Sequence, residues 1–343
     1  GRVTAGAGPG TEGDAAAGRM RALLVPVYGS NPYSRLLASA LREAGVEVAT
    51  AGVSGWLPLF RAVRAEGRPD VVHLQWQHRF FLREEDGVAA AAARTALFFL
   101  QWMVLRLAGV RFVWTVHNLV NHERHLEGLE RAACRLLARA VEGIVVHCEE
   151  VVETVARAYG VPRDRVAVIP HGHYIGAYPD PPPRGEARSV IGLPDDATVF
   201  LHFGQIRPYK GVRELMRTVS ALESDGLRLV ILGEPRYEEL GDELRKLASR
   251  DSRIRLELRY AREEELMRHL AAADAVVLPY VDILTSGSAI LAASCARPIV
   301  APDVGCLREF PEDAIIRYEP EGPRGLESAL RVAGGSALDR MGR

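Results

Sequence analysis

Short apolar runs alternate along the chain with longer segments in which apolar residues recur every three to four positions. Such runs predict strands at 21–27, 46–50, 70–74, 110–116, 143–147, 165–169, 198–203, 227–232, 253–258, 275–278, 298–301 and 314–318. Helical periodicity lies between them, at 33–44, 56–66, 88–108, 122–140, 149–159, 211–223, 237–249, 262–272, 286–296 and 323–333. Nearly all-apolar strands that alternate with amphipathic helices are typical of parallel sheets covered on both faces. The pattern therefore predicts an α/β protein.

The alternation is interrupted between 169 and 194, where proline and glycine are frequent. This stretch predicts an interdomain linker through which no regular element runs. It separates residues 20–168 from 195–333, each of an ordinary domain size, so we predict two doubly wound parallel-sheet domains that face a cleft. Residues 1–19 are rich in Gly and Ala and lack the apolar segment of a signal peptide, which predicts a disordered extension with Met20 as a natural start. Residues 334–343 are predicted to form a weakly ordered tail.

Composition narrows the class of function. The 343 residues carry 43 basic and 44 acidic side chains, and this near-neutral balance argues against a dedicated nucleic-acid binder. Only two of the cations are lysines, Lys210 and Lys246. The four cysteines lie far apart in the sequence, at 134, 148, 295 and 306. Their spacing predicts neither a zinc site nor a disulfide framework, and hence a reducing cytoplasm.

Candidate chemistry is expected in the loops that follow strands, because ligands of such sheets bind beyond the carboxyl ends of the strands. The strand 198–203 runs into Gly204-Gln205-Ile206-Arg207-Pro208-Tyr209-Lys210-Gly211 and then into a helix. Arg207 and Lys210 at a helix N-terminus predict an anion site, since two cations add to the positive end of the helix dipole. A solvated basic loop is the alternative interpretation.

A second loop follows the strand 275–278. Thr285, Ser286 and Ser288 are residues that cap helices, and Gly287 between them allows close approach of the backbone. Free amides here would hold phosphate oxygens, although Ser286 as an ordinary helix cap is the commoner case. The two loops together predict a diphosphate held from two sides. A dehydrogenase is disfavoured, because no Gly-x-Gly-x-x-Gly follows Val27 or Phe203.

The tandem layout with these two loops resembles the GT-B-fold glycosyltransferases, in particular the retaining group called family 4, over about residues 20–332. The cation loop is similar to the loop that holds the donor diphosphate in that family. The stretch 278–301, followed by Gly305 and Glu309, resembles the donor-site strand–helix–strand. Gly172 resembles the interdomain turn, and Arg259 and Tyr260 resemble the segment that contacts the nucleotide base. The resemblance implies transfer of a sugar from a nucleotide-diphosphate donor to a carbohydrate or lipid-linked acceptor, in polysaccharide or glycoconjugate assembly, with retention.

The sequence departs from the family pattern at the donor loop. Ile283 and Leu291 occupy the positions of two usual glutamates, Asp282 lies one residue away from the first, and Gln205 occupies the place of the usual arginine. The chain resembles a branch whose donor loop carries Ser-Gly in place of the glutamate. Two alternatives stay open: an inverting transferase with Glu123 or His122 as base, and a degenerate protein that binds a nucleotide sugar or glycan without turnover.

The acceptor side is expected in the loops of the first domain. The resemblance implies that His117, after the strand 110–116, faces the donor sugar beside Asn118, whereas a packed loop histidine is the alternative. The loop Tyr28-Gly29-Ser30-Asn31 resembles the family's first glycine loop. His117, His122 and His125 raise the question of zinc, but no acidic or cysteine ligand with suitable spacing joins them. We therefore expect no metal and no cofactor besides the donor.

Residues 96–110 are unusually apolar for one helix. Arg94 argues against a transmembrane span, and the pattern favours a helix buried within the domain. The alternative is a surface helix that contacts lipid within 79–111, at the inner face of the cell membrane. This contact would use aromatic and basic side chains: Phe80, Phe81, Phe98, Phe99, Trp102, Arg79, Arg83, Arg94 and Arg106.

Overall fold

The computed structural model describes residues 19–28, 32–83, 85–120, 126–322 and 325–335. Within them lie two six-stranded sheets in which every registered strand pair is parallel. The predictions for 1–18, for Gly29, Ser30 and Asn31, for His122, Glu123 and His125, and for 336–343 fall outside the described residues. The predicted α/β class with two doubly wound sheets is confirmed.

The first domain contains one sheet covered by helices on both faces. Its strands are β1 (Arg21–Val25), β2 (Glu47–Thr50), β3 (Val71–Leu74), β4 (Arg111–Thr115), β5 (Gly143–Val146) and β6 (Val166–Val168), in the order β2-β1-β3-β4-β5-β6. Its helices are α1 (Pro32–Glu43), α2 (Pro58–Glu66), α3 (His78–Phe81), α4 (Val88–Leu107), α5 (Glu127–Ala140) and α6 (Val152–Tyr159). The apolar strand residues form the core, because both faces of the sheet are covered.

The segment that follows contains a helix, so the prediction of a linker without regular structure is wrong. Helix α7 (Arg184–Ile191) begins directly after Pro183 and ends at Gly192, whose φ of 76° is left-handed. The prolines flank the helix and do not interrupt it. Arg188 is fully buried and bonds Asp274 Oδ2 at 2.7 Å and the carbonyl of Ala272 at 3.0 Å. Helix α7 therefore packs with the second domain, although its sequence lies in the predicted linker.

The second domain repeats the architecture of the first. Its strands are β7 (Thr198–Phe203), β8 (Leu227–Leu232), β9 (Ile254–Glu257), β10 (Ala275–Val277), β11 (Ile299–Pro302) and β12 (Ile315–Tyr318), in the order β12-β11-β10-β7-β8-β9. Its helices are α8 (Val212–Ala221), α9 (Glu238–Ala248), α10 (Glu263–Ala272), α11 (Gly287–Ser294) and α12 (Gly325–Ala333). Strand order reverses at β1 in the first sheet and at β7 in the second, so the loops after these strands are the expected ligand sites.

A disulfide joins the two domains, which corrects the expectation that the cysteines form none. Cys148 follows His147 at the end of β5. Cys306 lies in a 3-10 turn after β11, 158 positions later in the sequence. Their Cα atoms are 5.5 Å apart. Spacing along the sequence gives no sign of this pair, because only the docking of the two domains brings the cysteines together. Cys134 and Cys295 are free thiols.

Helix α4 is buried along one stripe only, so the prediction of a buried domain helix is wrong for most of its surface. By length and composition it is the one helix of the described residues that is apolar enough to cross a membrane, and 28% of its apolar window is buried. Its buried Arg94 pairs with Asp86 at 2.8 Å, which directs this charge into the domain. Phe80, Phe81 and Phe98 lie in the core and are not available to lipid.

Candidate active site

The cation loop and the second loop lie against each other at the carboxyl ends of β7 and β10. Gly211 has φ +67°, and a Cβ there would lie 1.9 Å from the carbonyl oxygen of Pro279. The amide of Val281 also donates to the carbonyl of Tyr209 at 2.8 Å. The predicted pairing of the two loops is thus present in the structure, and a glycine at 211 makes their close contact possible.

Lys210 lies at the base of this pair of loops. A side chain on Gly204 would meet Lys210 Nζ at 3.2 Å and Ser288 Oγ at 3.6 Å, so both polar groups approach the same point beside the backbone. Lys210 is 9% exposed, and burial, followed by the charge of Arg207, lowers its pKa to about 8. Across the described part of the chain, no carboxylate pairs with this ammonium group, and Arg207 is the charged group that acts on it. A buried cation without an acidic partner is costly unless an anion joins it.

Among the other residues of the two loops, some stabilise the local backbone and others face solvent or the cavity between the domains. Ser286 Oγ accepts from the amide of Ala289 at 3.1 Å and lies 3.0 Å from the hydroxyl of Tyr280, so its side chain caps α11. This is the ordinary capping role that the sequence left open. Gln205 is exposed and accepts a hydrogen bond from Arg207 Nε at 2.9 Å. Thr285 and Gly287 line the cavity between the domains.

Most predicted donor-side residues lie outside this cavity's lining, including Arg259, Tyr260, Asp282 and Glu309. Arg259 forms ion pairs with Glu257, at 2.8 Å, and with Glu265, and Tyr260 beside it is 65% exposed. Both follow β9, the edge strand of the sheet. Asp282 is exposed in the loop that follows β10. Glu309 accepts from the amide of Glu150 at 2.9 Å, across the domain boundary next to the disulfide.

On the first domain, His117 is the predicted residue that the structure places most clearly in the cleft. It lines a cavity of about 180 Å³ together with Asn118 and residues of the second domain. His117 Nε2 lies 2.8 Å from Gln75 Oε1, and the imidazole stacks on Trp76 with ring centroids 4.6 Å apart. Burial, followed by the nearby His147, lowers the pKa of His117 well below its ordinary value. The imidazole is therefore neutral at physiological pH.

Tyr28 lies beside Trp76, with the two ring centroids 5.3 Å apart. It does not line the cavity itself. Within the described ranges, no three His, Cys, Asp or Glu side chains are grouped so that they could hold a metal ion. The expected absence of a metal stays a prediction.

Comparison with known proteins identifies the family. A profile described as Glycosyltransferase Family 4 matches residues 27–173, and one described as Glycosyl transferases group 1 matches residues 197–332. GDP-mannose:glycolipid 4-beta-D-mannosyltransferase from Xanthomonas campestris pv. campestris is 32% identical over 311 residues, which cover 89% of this chain and 80% of the relative. The chain belongs to the family 4, group 1 glycosyltransferases. The resemblance stated from its motifs is confirmed.

Solved structures of other proteins have the same fold as this glycosyltransferase. Sucrose-phosphate synthase from Thermosynechococcus elongatus has a TM-score of 0.72 at 16% identity, covering 94% of each chain. The Anabaena protein Alr3699/HepE in complex with UDP has a TM-score of 0.68 at 14% identity, covering 94% of this chain and 92% of the other. The predicted GT-B architecture is confirmed.

The departures from the family pattern have visible consequences in this glycosyltransferase. Ile283 lines the cavity, so an apolar side chain lies where the usual pattern has a carboxylate. Leu291 is 4% exposed in the core of the second domain and does not face the cleft.

The sequence interpretation missed several cavity residues of the glycosyltransferase: Tyr33, Trp76, Tyr174 and Tyr209, with Gln75 behind Trp76. Gln75 and Trp76 directly follow β3, the neighbour of β1, so the rule that sites follow strands would have found them. His171 and Tyr174 come from the interdomain segment, where only Gly172 had been singled out. Their position in the cleft depends on the docking of the domains.

Proposed function

We propose that this glycosyltransferase transfers mannose from GDP-mannose to a glycolipid acceptor. The observation that carries the proposal is the buried Lys210, which has no acidic partner among the described residues and lies between two loops at the start of a helix. An anion between these loops would relieve the cost of the buried charge, and the diphosphate of a nucleotide-sugar donor is an anion of this kind. The choice of mannose, GDP and glycolipid rests on the name of the 32% identical relative.

Stabilisation of the departing GDP is the main chemical task of this site. Lys210 provides a compact positive charge, Arg207 a second cation, and the backbone amides at the N-terminus of α11 add their dipoles. These groups are fixed before the reaction, so they stabilise charge as it develops on the leaving oxygen. We propose that they replace a metal ion in this role, and activity in excess EDTA tests that statement.

We propose inversion of the anomeric configuration, in place of the retention that the family resemblance alone implied. The relative's name describes a β-D-mannoside made from GDP-mannose. The mannosyl group of GDP-mannose is α-linked, so formation of a β product inverts the configuration. NMR of the product's anomeric centre tests this point: an α-mannoside would contradict it.

The donor is tested with purified protein and a panel of GDP-, UDP- and ADP-sugars. We expect a rise in melting temperature with GDP and GDP-mannose, because a ligand that binds the folded state stabilises it by mass action. We expect transfer from GDP-mannose to a polyprenyl-linked saccharide. Lys210→Ala should lose about 100–1,000-fold in kcat while the protein stays folded. Lys246→Ala is the matched control, because Lys246 is the other lysine of the chain and lies exposed on α9.

We also propose that α4 contacts the membrane in which a glycolipid acceptor resides, at its cytoplasmic side. The outer face of this helix presents apolar side chains along its length, with Leu100, Met103 and Val104 between 43% and 47% exposed and Leu107 83% exposed. Trp56 and Leu57, at the start of the neighbouring α2, are also exposed. An exposed contiguous apolar surface of this kind favours an interaction partner over water.

Charge supports the choice of a lipid surface as that partner. Arg61 and Arg64 are exposed on α2, and Gln101 fixes α2 to α4 by accepting from the amides of Leu59 and Phe60 at 3.1 and 3.2 Å. Arginines beside an apolar face suit a membrane whose headgroups are anionic. The proposed contact stays within the predicted segment 79–111. It uses the exposed side chains of α4, because the predicted Phe80, Phe81 and Phe98 lie in the core.

Flotation with phosphatidylglycerol-containing vesicles tests this contact. We expect the wild type to float at low salt, and the triple variant Leu100→Ser, Met103→Ser, Leu107→Ser to remain unbound. The control removes exposed apolar side chains elsewhere: Val190→Ser with Val332→Ser, in the second domain. A wild-type protein that stays unbound, or a triple variant that floats equally well, contradicts the proposal.

A further inference from the structure

The cavity between the domains has two walls of different chemical character. The first domain contributes Tyr33, Trp76 and His117, whereas Tyr209, Thr285 and Gly287 come from the two loops that also carry Lys210 and Ser288. A sugar in this cavity would have the departing diphosphate on one side and the first domain on the other. Inversion by a single displacement requires a proton acceptor opposite the leaving group.

His117 is the basic side chain on the first-domain wall. Hydrogen bonding from Nε2–H to Gln75 Oε1, at 2.8 Å, leaves Nδ1 of the neutral ring with its lone pair. Trp76 stacks on one face of the imidazole, and Tyr33 contacts it edge-on with centroids 5.0 Å apart and planes at 90°. These contacts fix the ring, so its orientation and tautomer are set before substrate binds.

His171 is the other basic side chain in the cavity, and it lies between the two walls, with its ring centroid 4.7 Å from that of Tyr33. Its Nδ1 bonds the carbonyl of Gly172 at 2.7 Å, and its Nε2 lies 3.5 Å from the hydroxyl of Tyr174. That hydroxyl approaches to 3.4 Å of the Cβ position of Gly287, at the start of α11. His171 therefore contacts both walls, and each of its ring nitrogens already faces a polar group. Among the described residues that line the cavity, none is an Asp or Glu.

We infer that His117 is the general base of the transfer and that Gln75 is the positioning residue that sets its tautomer, an inference that rests on the proposed inverting mannosyl transfer. In the step, the acceptor oxygen forms a bond to C1 of mannose while the bond from C1 to the β-phosphate oxygen breaks. The bonding electron pair leaves with GDP, and the acceptor's hydroxyl proton passes to Nδ1 of His117. The imidazolium then releases this proton to water.

The surroundings of His117 keep it in the form that the step needs. Burial is the main cause of its lowered pKa, and the rings of His147, His171, His73 and His78 act in the same direction. Protonation at low pH removes the base, so the acid limb of the kcat profile lies below the ordinary histidine range. A carboxylate in place of the Gln75 amide would favour the imidazolium and move that limb upward.

Two variants with matched controls test the inference. His117→Gln is expected to lower kcat by about 100–10,000-fold, while GDP still raises the melting temperature as in the wild type. Gln75→Glu is expected to shift the acid limb of the kcat profile upward by about 1–3 pH units. The controls are His269→Gln, a buried histidine of the second domain held by Glu257, and Gln77→Glu, which places a carboxylate in the same segment next to Trp114. Both controls should keep the wild-type acid limb.

The outcomes separate this inference from the function on which it rests. If the wild type forms a β-mannoside and His117→Gln keeps kcat within about tenfold, the base assignment is wrong and the proposed function stands. An unshifted acid limb in Gln75→Glu removes Gln75 from its positioning role. An α-mannoside product overturns both the inversion and the base, and a wild type without transfer from GDP-mannose overturns the proposed function itself.

Discussion

Lys210 shows how one side chain connects burial, charge and donor binding. Its folded pKa of about 8 lies below the ordinary lysine value of 10.5 because burial disfavours the ammonium form. The neutral amine cannot hold a diphosphate as a point charge. In the free enzyme, the charged fraction of Lys210 therefore falls as pH rises through about 8, and we expect the affinity for GDP to fall with it.

Titration calorimetry with GDP between pH 7 and 9.5 measures this dependence. Lys210→Arg is the informative variant, because a guanidinium stays charged throughout that range. It should restore part of the activity that Lys210→Ala loses and should show no loss of GDP affinity across pH 8. An affinity for GDP that is independent of pH in the wild type would remove Lys210 from the diphosphate site.

Gly211 is a position where the contact between the two loops requires glycine. Gly211→Ala should separate the cation loop from the second loop, since a Cβ would lie 1.9 Å from the carbonyl of Pro279 at a φ of +67°. We expect lower stability and a loss of GDP affinity larger than the loss of stability explains. Gly226→Ala is a suitable control, because nothing lies within 4 Å of the Cβ position there. Full GDP affinity in Gly211→Ala would mean that the contact of the loops is not needed.

At the scale of helices and strands, periodicity predicts what lies within one domain. All twelve predicted strands appear, and the cation loop and the α11 loop lie where the rule for parallel sheets places them. Periodicity fails for α7, because proline and glycine frequency over 26 positions conceals that the prolines flank a helix of eight residues. It also fails for α4, where an apolar pattern on every face predicts burial but the structure buries only one stripe of the helix.

The candidate site could be predicted to the extent that each residue follows a strand. Arg207, Lys210, Ser288 and His117 are predicted in this way, and their roles stay predictions. Glu309 was assigned to the donor site by family position, but its carboxylate instead accepts from the amide of Glu150 in the other domain. The contacts of Glu309, Tyr174 and the cysteine pair arise between domains, and no local pattern encodes how two domains dock.

The whole molecule is held together by a covalent link in addition to the polypeptide. Near the link, Glu309 bonds the amide of Glu150, and Arg308 Nη1 lies 3.7 Å from Glu150 Oε2. Cys306 and Leu284 of the second domain are packed into the core of the first. The disulfide therefore holds the part of the second domain that carries the loop before α11 against the part of the first domain that follows β5.

Reduction should loosen the two walls relative to each other. A disulfide between distant positions typically contributes about 2–4 kcal/mol to stability. We expect the reduced wild type and the double variant Cys148→Ser, Cys306→Ser to melt at the same lower temperature. Reductant should not change the melting temperature of the double variant. Cys134→Ser is the control, since Cys134 is a buried free thiol.

A thiol count decides whether the link forms in a given compartment. Of the four cysteines, two belong to the disulfide, so unfolded and unreduced protein should present two reactive thiols. Disulfides persist in oxidising surroundings and are rare in the cytosol, where the enzyme is predicted to work. Protein trapped with a thiol-blocking reagent directly in cells should then present four thiols and show the melting temperature of the double serine variant. Two thiols in cells would mean that the link exists where the enzyme works and that its domains operate as a tied pair.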